Sequence, residues 1–210
     1  MGYCVEIEDL TKQLKHRTVL NHISLTLEAG GVYGLYGHNG SGKTMLLRSI
    51  AGLIYPTSGT VKIDGKQLGK DLSFPEKMGL IIENVGFWPE YTGFENLKTL
   101  AMIRAQVRDE QIKEAISRVG LDPADKRTYK KYSLGMKQRL SVAQAVMERP
   151  ELLLLDEPTN ALDDEGVERI RTVVREENER GATVVIASHN KEDLSVFCRN
   201  CIALPDGAWA

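Results

Sequence analysis

The segment from Gly37 to Thr44, Gly-His-Asn-Gly-Ser-Gly-Lys-Thr, constrains the fold of this chain more than any other feature. It matches the phosphate-binding loop pattern G-x-x-x-x-G-K-[ST], and it follows the short apolar run Val32–Tyr36 and precedes a predicted helix over Thr44–Leu53, as that pattern requires. The glycines let backbone N–H groups turn inward around a phosphate, Lys43 would neutralise phosphate oxygens, and the Thr44 hydroxyl would bind Mg²⁺. The predicted nucleotide contacts are Gly37, His38, Asn39, Gly40, Ser41, Gly42, Lys43, Thr44 and Met45.

An apolar run that ends in two acidic residues is the second functional motif. Four leucines follow Glu151 and lead into Asp156 and Glu157, which is typical of a fully buried parallel strand. At the end of that strand Asp156 would hold Mg²⁺ through water, and Glu157 would polarise the water that attacks the γ-phosphate. An ordinary strand with an exposed acidic turn is the alternative for this segment alone, and the phosphate loop upstream disfavours it.

The order of the predicted elements indicates one α/β domain with a helical insertion. Further strands are predicted at Val19–Leu27, Thr60–Ile63, Gly79–Ile82, Leu152–Leu155 and Thr183–Ala187, and a helix at Glu165–Glu179. Residues 92–147 are predicted to be almost wholly helical, with Asp109 and Ser133 as helix N-caps. Because strands and helices alternate on both sides of this block, a mostly parallel sheet is expected.

Composition narrows the classes of function. The formal net charge of −2 argues against a nucleic-acid-binding protein, so no nucleic-acid partner is expected. Three cysteines indicate a reducing compartment, and Cys198-Arg-Asn-Cys201 supplies only half of a usual zinc site, so two ordinary thiols near a helix end are predicted. Apolar stretches are too short to span a bilayer, so we expect a soluble chain that reaches any membrane through a partner.

The segment Tyr132-Ser-Leu-Gly-Met-Lys-Gln-Arg139 resembles the signature motif of ABC ATPases, whose commonest form is Leu-Ser-Gly-Gly-Gln. The motif order is also similar to that family over essentially the whole chain: phosphate loop, helical insertion, signature, acidic strand, Ala161-Leu-Asp163, and then Ser188-His189. The resemblance implies a phosphate-loop NTPase core of mostly parallel sheet, an N-terminal antiparallel β subdomain and an inserted helical subdomain. The whole chain would be one such domain, with an ATP-binding core at 1–82 and 151–210 and the helical subdomain at 83–150.

The same resemblance implies an ATP sandwich made by two such domains, either identical or paralogous. Ser133 and the backbone of Gly135 of one domain would meet the γ-phosphate held by Lys43 of the other. Asp163 would lie at the seam of this dimer, and His189 would contact the γ-phosphate and order the catalytic water. The predicted catalytic residues are therefore Glu157, His189 and Lys43, and the cofactors are ATP and Mg²⁺.

Departures from the family pattern point to a branch of it. The signature form, with Leu134 and Met136 at positions usually occupied by glycine and glutamine, resembles exporters of the bacitracin-resistance and lantibiotic-immunity branch. Glu83 aligns with a Mg²⁺-sensing glutamine, and its carboxylate is a predicted metal ligand; neutral drift or a one-residue alignment slip onto Asn84 is the alternative. Leu14 aligns with the aromatic residue that stacks on adenine, which leaves the choice between ATP and GTP open.

The aromatic residues Phe87, Trp88 and Tyr91 form a cluster that is expected to be partly exposed. The resemblance implies that residues 83–91 form a groove for a cytoplasmic helix of a transmembrane subunit, while core packing of at least one ring is equally compatible with the sequence. The chain is expected at the inner face of the cell membrane, energising export of a peptide antibiotic or a similar amphipathic compound. A soluble ABC ATPase without a transport role and an unrelated phosphate-loop kinase or GTPase are the alternatives, and co-purification with a membrane protein would separate them.

Overall fold

The computed structural model describes residues 2–15, 17–82, 86–104, 107–198 and 200–204. Within these ranges the strands are β1 Val5–Leu14, β2 Arg17–Leu27, β3 Val32–Tyr36, β4 Ser58–Ile63, β5 Lys66–Gln67, β6 Met78–Ile81, β7 Leu152–Asp156, β8 Thr183–Ser188 and β9 Asn200–Ala203. The helices are α1 Lys43–Ile50, α2 Gly93–Arg104, α3 Asp109–Arg118, α4 Leu134–Val146, α5 Asp164–Glu179 and α6 Lys191–Ser195, with a short 3₁₀ turn at Tyr129–Lys131.

A five-stranded parallel sheet with the order β6-β7-β8-β3-β9 forms the centre of the fold. The four leucines of β7 are fully buried and face two different hydrophobic clusters: Leu153 and Leu155 pack with α4 and α5, and Leu152 and Leu154 pack with α1. Helices therefore cover both faces of the sheet, which explains why β7 is continuously apolar rather than alternating. This parallel sheet confirms the predicted fold class.

The carboxyl ends of the central strands meet at one edge of this sheet. The phosphate loop follows β3, Asp156 is the last residue of β7, and Ser188 is the last residue of β8. Since β3 pairs with β8 and β8 pairs with β7, the three strand ends are neighbours. Ligands of open α/β sheets bind at this edge, so the topology brings the predicted functional motifs together.

A four-stranded antiparallel sheet, with the order β2-β1-β4-β5, is formed by the N-terminal part of the chain. Its longest pair, β1 and β2, is irregular, with register shifts between Ile7 and Leu10 and a left-handed backbone at Asp9 and His22. Its inner residues pack on the same cluster as α1. This sheet confirms the expected antiparallel subdomain, although β1 was not predicted as an individual strand.

The predicted helical block at 92–147 is only partly helical. Residues 119–128 between α3 and the 3₁₀ turn contain no helix, and Gly120 takes a left-handed conformation with φ 74°. The prediction of Asp109 as an N-cap was wrong by one residue: α3 begins at Asp109, and the extended residue before it is Arg108, whose N–H donates to Gln111 Oε1 at 3.0 Å. Ser133 does cap α4, because its Oγ accepts from the N–H of Met136 at 3.2 Å.

Other element boundaries differ by a few residues from the predictions. Helix α1 ends at Ile50 rather than Leu53, because Gly52 takes a left-handed conformation with φ 74° that ends the helix. Cys201 lies in strand β9, which was not predicted, whereas Cys198 follows α6 as expected for a thiol near a helix end. None of the described helices has the length and apolar character needed to cross a bilayer.

Candidate active site

Lys43 is the centre of the phosphate loop. Its side chain is almost completely buried, and Nζ donates to the carbonyl oxygens of Gly37 at 2.6 Å and His38 at 3.1 Å. An ammonium group has three donors, so one N–H remains for an anion in the loop. The loop is closed by the N–H of Ser41, which donates to the His38 carbonyl at 3.1 Å. Folding of the loop thus holds a buried positive charge in place.

Gly42 is required both by its conformation and by its surroundings. Its φ is 98°, and a Cβ atom there would lie 2.6 Å from the Val19 carbonyl oxygen and 2.9 Å from Leu20 Cδ2. Because Gly42 is also the N-cap of α1, no side chain caps the first turn of that helix. The free backbone N–H groups of the first turn of α1 and the positive end of the helix dipole are therefore available to an anion.

Two observations indicate that a phosphate group and a hard metal ion fit here. The Ser41 hydroxyl is buried without a hydrogen-bond partner, which is a cost that a bound anion would remove. Thr44 Oγ1 donates to Asp156 Oδ2 at 2.6 Å, which brings together a hydroxyl and a carboxylate oxygen, the ligand types that Mg²⁺ prefers. The predicted metal residues Thr44 and Asp156 thus contact each other.

Glu157 and His189, both predicted to be catalytic, also contact each other. Glu157 Oε1 accepts from the backbone N–H of His189 at 2.8 Å and lies 2.8 Å from His189 Nδ1, while Oε2 accepts from Ser188 Oγ at 3.2 Å. An ionised carboxylate only accepts, so Nδ1 carries a proton and donates, and Nε2 is left facing away from Glu157. Glu157 itself has φ 49°, a strained conformation stabilised by its N–H, which donates to the Ala187 carbonyl at 2.8 Å.

Most of the predicted phosphate-binding, metal-binding and catalytic residues line one cleft of about 290 Å³, but His189 is not among its lining residues. The lining residues are Arg17, Val19, Asn39, Gly40, Gly42, Lys43, Thr44, Met45, Asp156 and Glu157. Sequence reasoning missed Arg17 and Val19, although their spacing of two residues on β2 was a usable signal, since alternate residues of a strand share a face. Leu14, the predicted base contact, is 44% exposed opposite Arg17 in the β1–β2 pair and is not among the lining residues.

The signature residues lie outside this cleft. Ser133 and Gly135 stand at the start of α4, and a Cβ atom on Gly135 would lie 3.0 Å from the Ala161 carbonyl oxygen. Asp163 caps α5, because its Oδ1 accepts from the N–H of Gly166 at 2.9 Å. Sequence reasoning also missed a link between the two regions: Gln138 Nε2 on α4 donates to the carbonyl oxygen of Glu157 at 3.2 Å.

The aromatic cluster divides into one buried ring and two exposed rings. Phe87 is buried with its ring edge against Tyr129, at 5.2 Å between centroids. Trp88 and Tyr91 are 44% and 42% exposed and stack on each other at 6.0 Å. Core packing therefore holds for Phe87, and the partner contact of Trp88 and Tyr91 stays a prediction. The predicted metal ligand Glu83 and its neighbour Asn84 lie outside the described residues.

The two thiols at 198 and 201 form a separate pair. Cys198 Sγ lies 3.6 Å from Cys201 Sγ, and burial, together with the hydrogen bond to Cys201, raises the pKa of Cys198 to about 12. Such a thiol is protonated at neutral pH and is a poor nucleophile and metal ligand. Among the described residues no group of three His, Cys, Asp or Glu side chains is arranged to hold a metal ion.

Comparison with known proteins gives consistent matches to one family. The family model described as ABC transporter matches residues 20–160. The uncharacterized ABC transporter ATP-binding protein YybJ of Bacillus subtilis is 51% identical over 97% of this chain and 93% of its own length. The bacitracin transport ATP-binding protein BcrA of Enterococcus faecalis is 43% identical over 90% of this chain, which matches 62% of that longer protein.

Lantibiotic relatives and solved structures agree with this result. The lantibiotic transport ATP-binding protein SrtF of Streptococcus pyogenes is 36% identical over 88% of this chain and 80% of its own length. The dimeric structure of MJ0796, a bacterial ABC transporter cassette, superposes with a TM-score of 0.87 at 26% identity, covering 97% of this chain and 95% of that one. A post-hydrolysis state of the same cassette bound to ADP and Pi gives a TM-score of 0.86.

Proposed function

The chain belongs to the ABC transporter family, and from this membership we propose that it is the subunit that hydrolyses ATP for a membrane-spanning partner on a separate polypeptide. Binding and hydrolysis of ATP are the activities of the family's ATPase domain. The observation that carries the assignment is the contact between Glu157 and His189 at the sheet edge that also holds Lys43 and the Thr44–Asp156 pair. One cleft thus contains an acceptor for a water proton and groups that bind phosphate.

In the proposed mechanism Glu157 is the residue that polarises the attacking water. Its carboxylate accepts from the His189 N–H, the His189 ring and the Ser188 hydroxyl, so its orientation is defined while lone pairs remain for a water molecule. Lys43 and the N-terminus of α1 neutralise the charge of the phosphates, and His189 Nε2 contacts the γ-phosphate region. Thr44 and Asp156 would hold Mg²⁺, which supplies further neutralisation of phosphate charge; Glu83 as an additional ligand stays a prediction.

The signature residues are proposed to act on the nucleotide of a second copy or a paralogue. Ser133, Gly135 and Asp163 lie outside the cleft of their own chain, at the exposed starts of α4 and α5. A helix N-terminus that is capped by a serine is a favourable site for an anion that a partner presents. The similarity to a cassette solved as a dimer supports this arrangement. On the same basis residues 83–150 would act as the helical subdomain and the remainder as the ATP-binding core.

The relatives suggest the class of cargo and the location. BcrA is a bacitracin transport protein and SrtF a lantibiotic transport protein, so we propose export of a peptide antibiotic or a similar amphipathic compound. The chain would lie at the cytoplasmic face of the membrane, held there by its partner. The exposed pair Trp88 and Tyr91 is the proposed contact surface for that partner, because exposed stacked aromatic rings bury a large area at low entropic cost.

Glu157→Gln tests the catalytic assignment. The amide keeps the shape of the side chain but cannot accept a proton, so we expect MgATP binding within about twofold of the wild type and hydrolysis reduced by about 100-fold or more. Size-exclusion chromatography with MgATP should show a dimer that persists because its nucleotide is not consumed. Hydrolysis at the wild-type rate would contradict the role of Glu157.

Trp88→Ala combined with Tyr91→Ala tests the partner surface. Affinity purification of the tagged chain from gently solubilised membranes should recover a membrane-spanning protein with the wild type and much less of it with this variant. Tyr55→Ala is the matched control, since Tyr55 is a comparably exposed aromatic residue outside this cluster. Recovery of no membrane-spanning protein by the wild type would favour an ABC ATPase without a transport role.

A further inference from the structure

Arg17 lies at the edge of the nucleotide cleft on the side of the antiparallel sheet. It is the first residue of β2, and with Val19 it forms the part of the cleft wall that this sheet contributes. A Cβ atom built on Gly40 of the phosphate loop would lie 3.9 Å from Arg17 Nη2, so the guanidinium reaches the loop itself. The two basic side chains that line the cleft are therefore Lys43, from inside the loop, and Arg17, from across it.

The guanidinium of Arg17 forms no hydrogen bond or ion pair with any described residue. The side chain is exposed, and none of the described carboxylates or carbonyl groups pairs with it. Asp156 and Glu157 line the same cleft as Arg17, but their described contacts are with Thr44, Ser188 and His189. A planar group with five donors is thus left at the mouth of a site that is built for an anion.

We propose that Arg17 binds the phosphate chain of the bound nucleotide, an inference that rests on the nucleotide site proposed above. Phosphate is favoured over the base because the guanidinium lies beside Gly40, which belongs to the phosphate loop, and because an arginine fork matches phosphate oxygens in a bidentate manner. The phosphates are then held from two sides, by Lys43 and α1 of the parallel core and by Arg17 of the antiparallel sheet. Arg17 is a binding residue with no part in proton transfer.

The inference predicts an affinity change that is independent of the base. We expect Arg17→Gln to weaken binding of ADP, GDP and CDP by about tenfold each, and Arg17→Lys to recover part of the loss, because lysine keeps the charge but not the fork. Because the contact is exposed to solvent, rising salt should weaken the wild type more than the Gln variant. Diphosphates are chosen because they avoid turnover during the measurement.

The experiment is calorimetric titration of the monomeric chain with each diphosphate at low and high salt, together with Lys15→Gln as the matched control. Lys15 is an exposed cation two residues away that does not line the cleft, so its removal should change affinity by less than about twofold. Melting curves without nucleotide should be the same for all variants, since Arg17 has no described partner to lose.

Three different results would overturn the inference, and each would locate the error in a different part of it. Unchanged affinity in Arg17→Gln, with binding abolished in Lys43→Ala, would leave the nucleotide site intact and remove Arg17 from it. A loss for ADP and GDP but not for CDP would mean that Arg17 stacks on the purine instead. Absence of nucleotide binding by the wild type would refute the nucleotide site itself, and the inference about Arg17 with it.

Discussion

Two glutamates at opposite ends of the parallel sheet have the same side chain in very different surroundings. Glu157 follows β7 at the carboxyl end, and its partners are a backbone N–H, a hydroxyl and an imidazole. Glu177 lies near the end of α5 at the amino end, with a completely buried side chain that is paired with the guanidinium groups of Arg118, at 2.7 Å, and Arg180.

The two glutamates differ in whether a positively charged side chain compensates the negative charge of the carboxylate. Two arginines neutralise Glu177. Burial alone would lower the pKa of Arg118, but the hydrogen bonds and charges of Glu177 and Glu176 together outweigh it and raise that pKa. The described partners of Glu157 orient it and include neither arginine nor lysine, and its backbone is strained. We infer that the amino end of the sheet stabilises the fold, whereas the carboxyl end keeps polar groups available to a ligand.

Lys43→Ala should produce the largest effect, and it should be an effect on binding. Without the buried ammonium the phosphates lose their main charge partner, so we expect affinity for MgATP to fall by about 100-fold or more. The carbonyl groups of Gly37 and His38 become available to water in the open cleft, so the melting temperature should change little. Calorimetric titration and thermal melting measure the two quantities, and unchanged micromolar binding would refute the phosphate-loop assignment.

Glu177→Gln should show the opposite profile. Removal of the charge leaves Arg118 and Arg180 without their shared partner, and we expect a loss of about 2 kcal/mol in the free energy of unfolding, because both arginines retain partial access to solvent. Nucleotide affinity of the folded fraction should be unchanged. Glu176→Gln is the control in urea denaturation: its partly exposed side chain also pairs with Arg118 and should cost less than about 1 kcal/mol.

Ser133→Ala should distinguish a helix-capping role of Ser133 from a contact of Ser133 with a second chain. Loss of the cap on α4 should cost about 1 kcal/mol of stability. If Ser133 also contacts the nucleotide of a second chain, Ser133→Ala in the Glu157→Gln background should weaken ATP-dependent dimerisation by more than the loss of helix stability explains. Thr92→Ala is the control, since Thr92 Oγ1 accepts from the N–H of Glu95 at 3.2 Å in a similar cap on α2. Equal dimerisation of both variants would limit Ser133 to capping.

Lys77→Gln should have the smallest effect, and this effect should depend on pH. The hydrogen bond and charge of Lys77 lower the pKa of Glu151 from its ordinary value of 4.5. A carboxyl whose pKa is lowered by folding stabilises the folded chain at pH values above its ordinary pKa. This contribution is lost as the pH falls through the lowered pKa of the folded chain. The melting temperatures of the wild type and the variant should therefore differ slightly at pH 7, and this difference should shrink as the pH falls below 4.5. A difference that does not shrink in this range would contradict the ion-pair explanation.

Local patterns predicted the functional motifs well, because each motif is contained in a few consecutive residues. The glycines and Lys43, the acidic end of β7 and the Ser133 cap were all predicted from adjacent residues, and the parallel sheet then brings β3 and β7 to one edge. Irregular strands were harder to predict. In β1 the register shift between Ile7 and Leu10 interrupts the alternation on which strand prediction depends.

Contacts between segments that are distant in the chain could not be predicted from local sequence patterns. The Arg17 side chain reaches Gly40, and Gln138 donates to the Glu157 carbonyl, only because separate elements pack together. The excess of predicted helix at 119–128 has a local origin, since Gly120 takes a left-handed conformation just after α3 that ends this helix.

The position of β3 in the sheet has a consequence for biosynthesis. This strand ends at Tyr36, whereas both of its neighbours, β8 from Thr183 and β9 from Asn200, are synthesised much later. A ribosome-bound nascent chain would carry the complete phosphate loop motif for most of its synthesis without a paired strand to support it. We therefore expect no folded loop to be available to ATP until β8 and β9 have been synthesised, and chains truncated before Thr183 should be targets for chaperones and proteases whatever the nucleotide concentration.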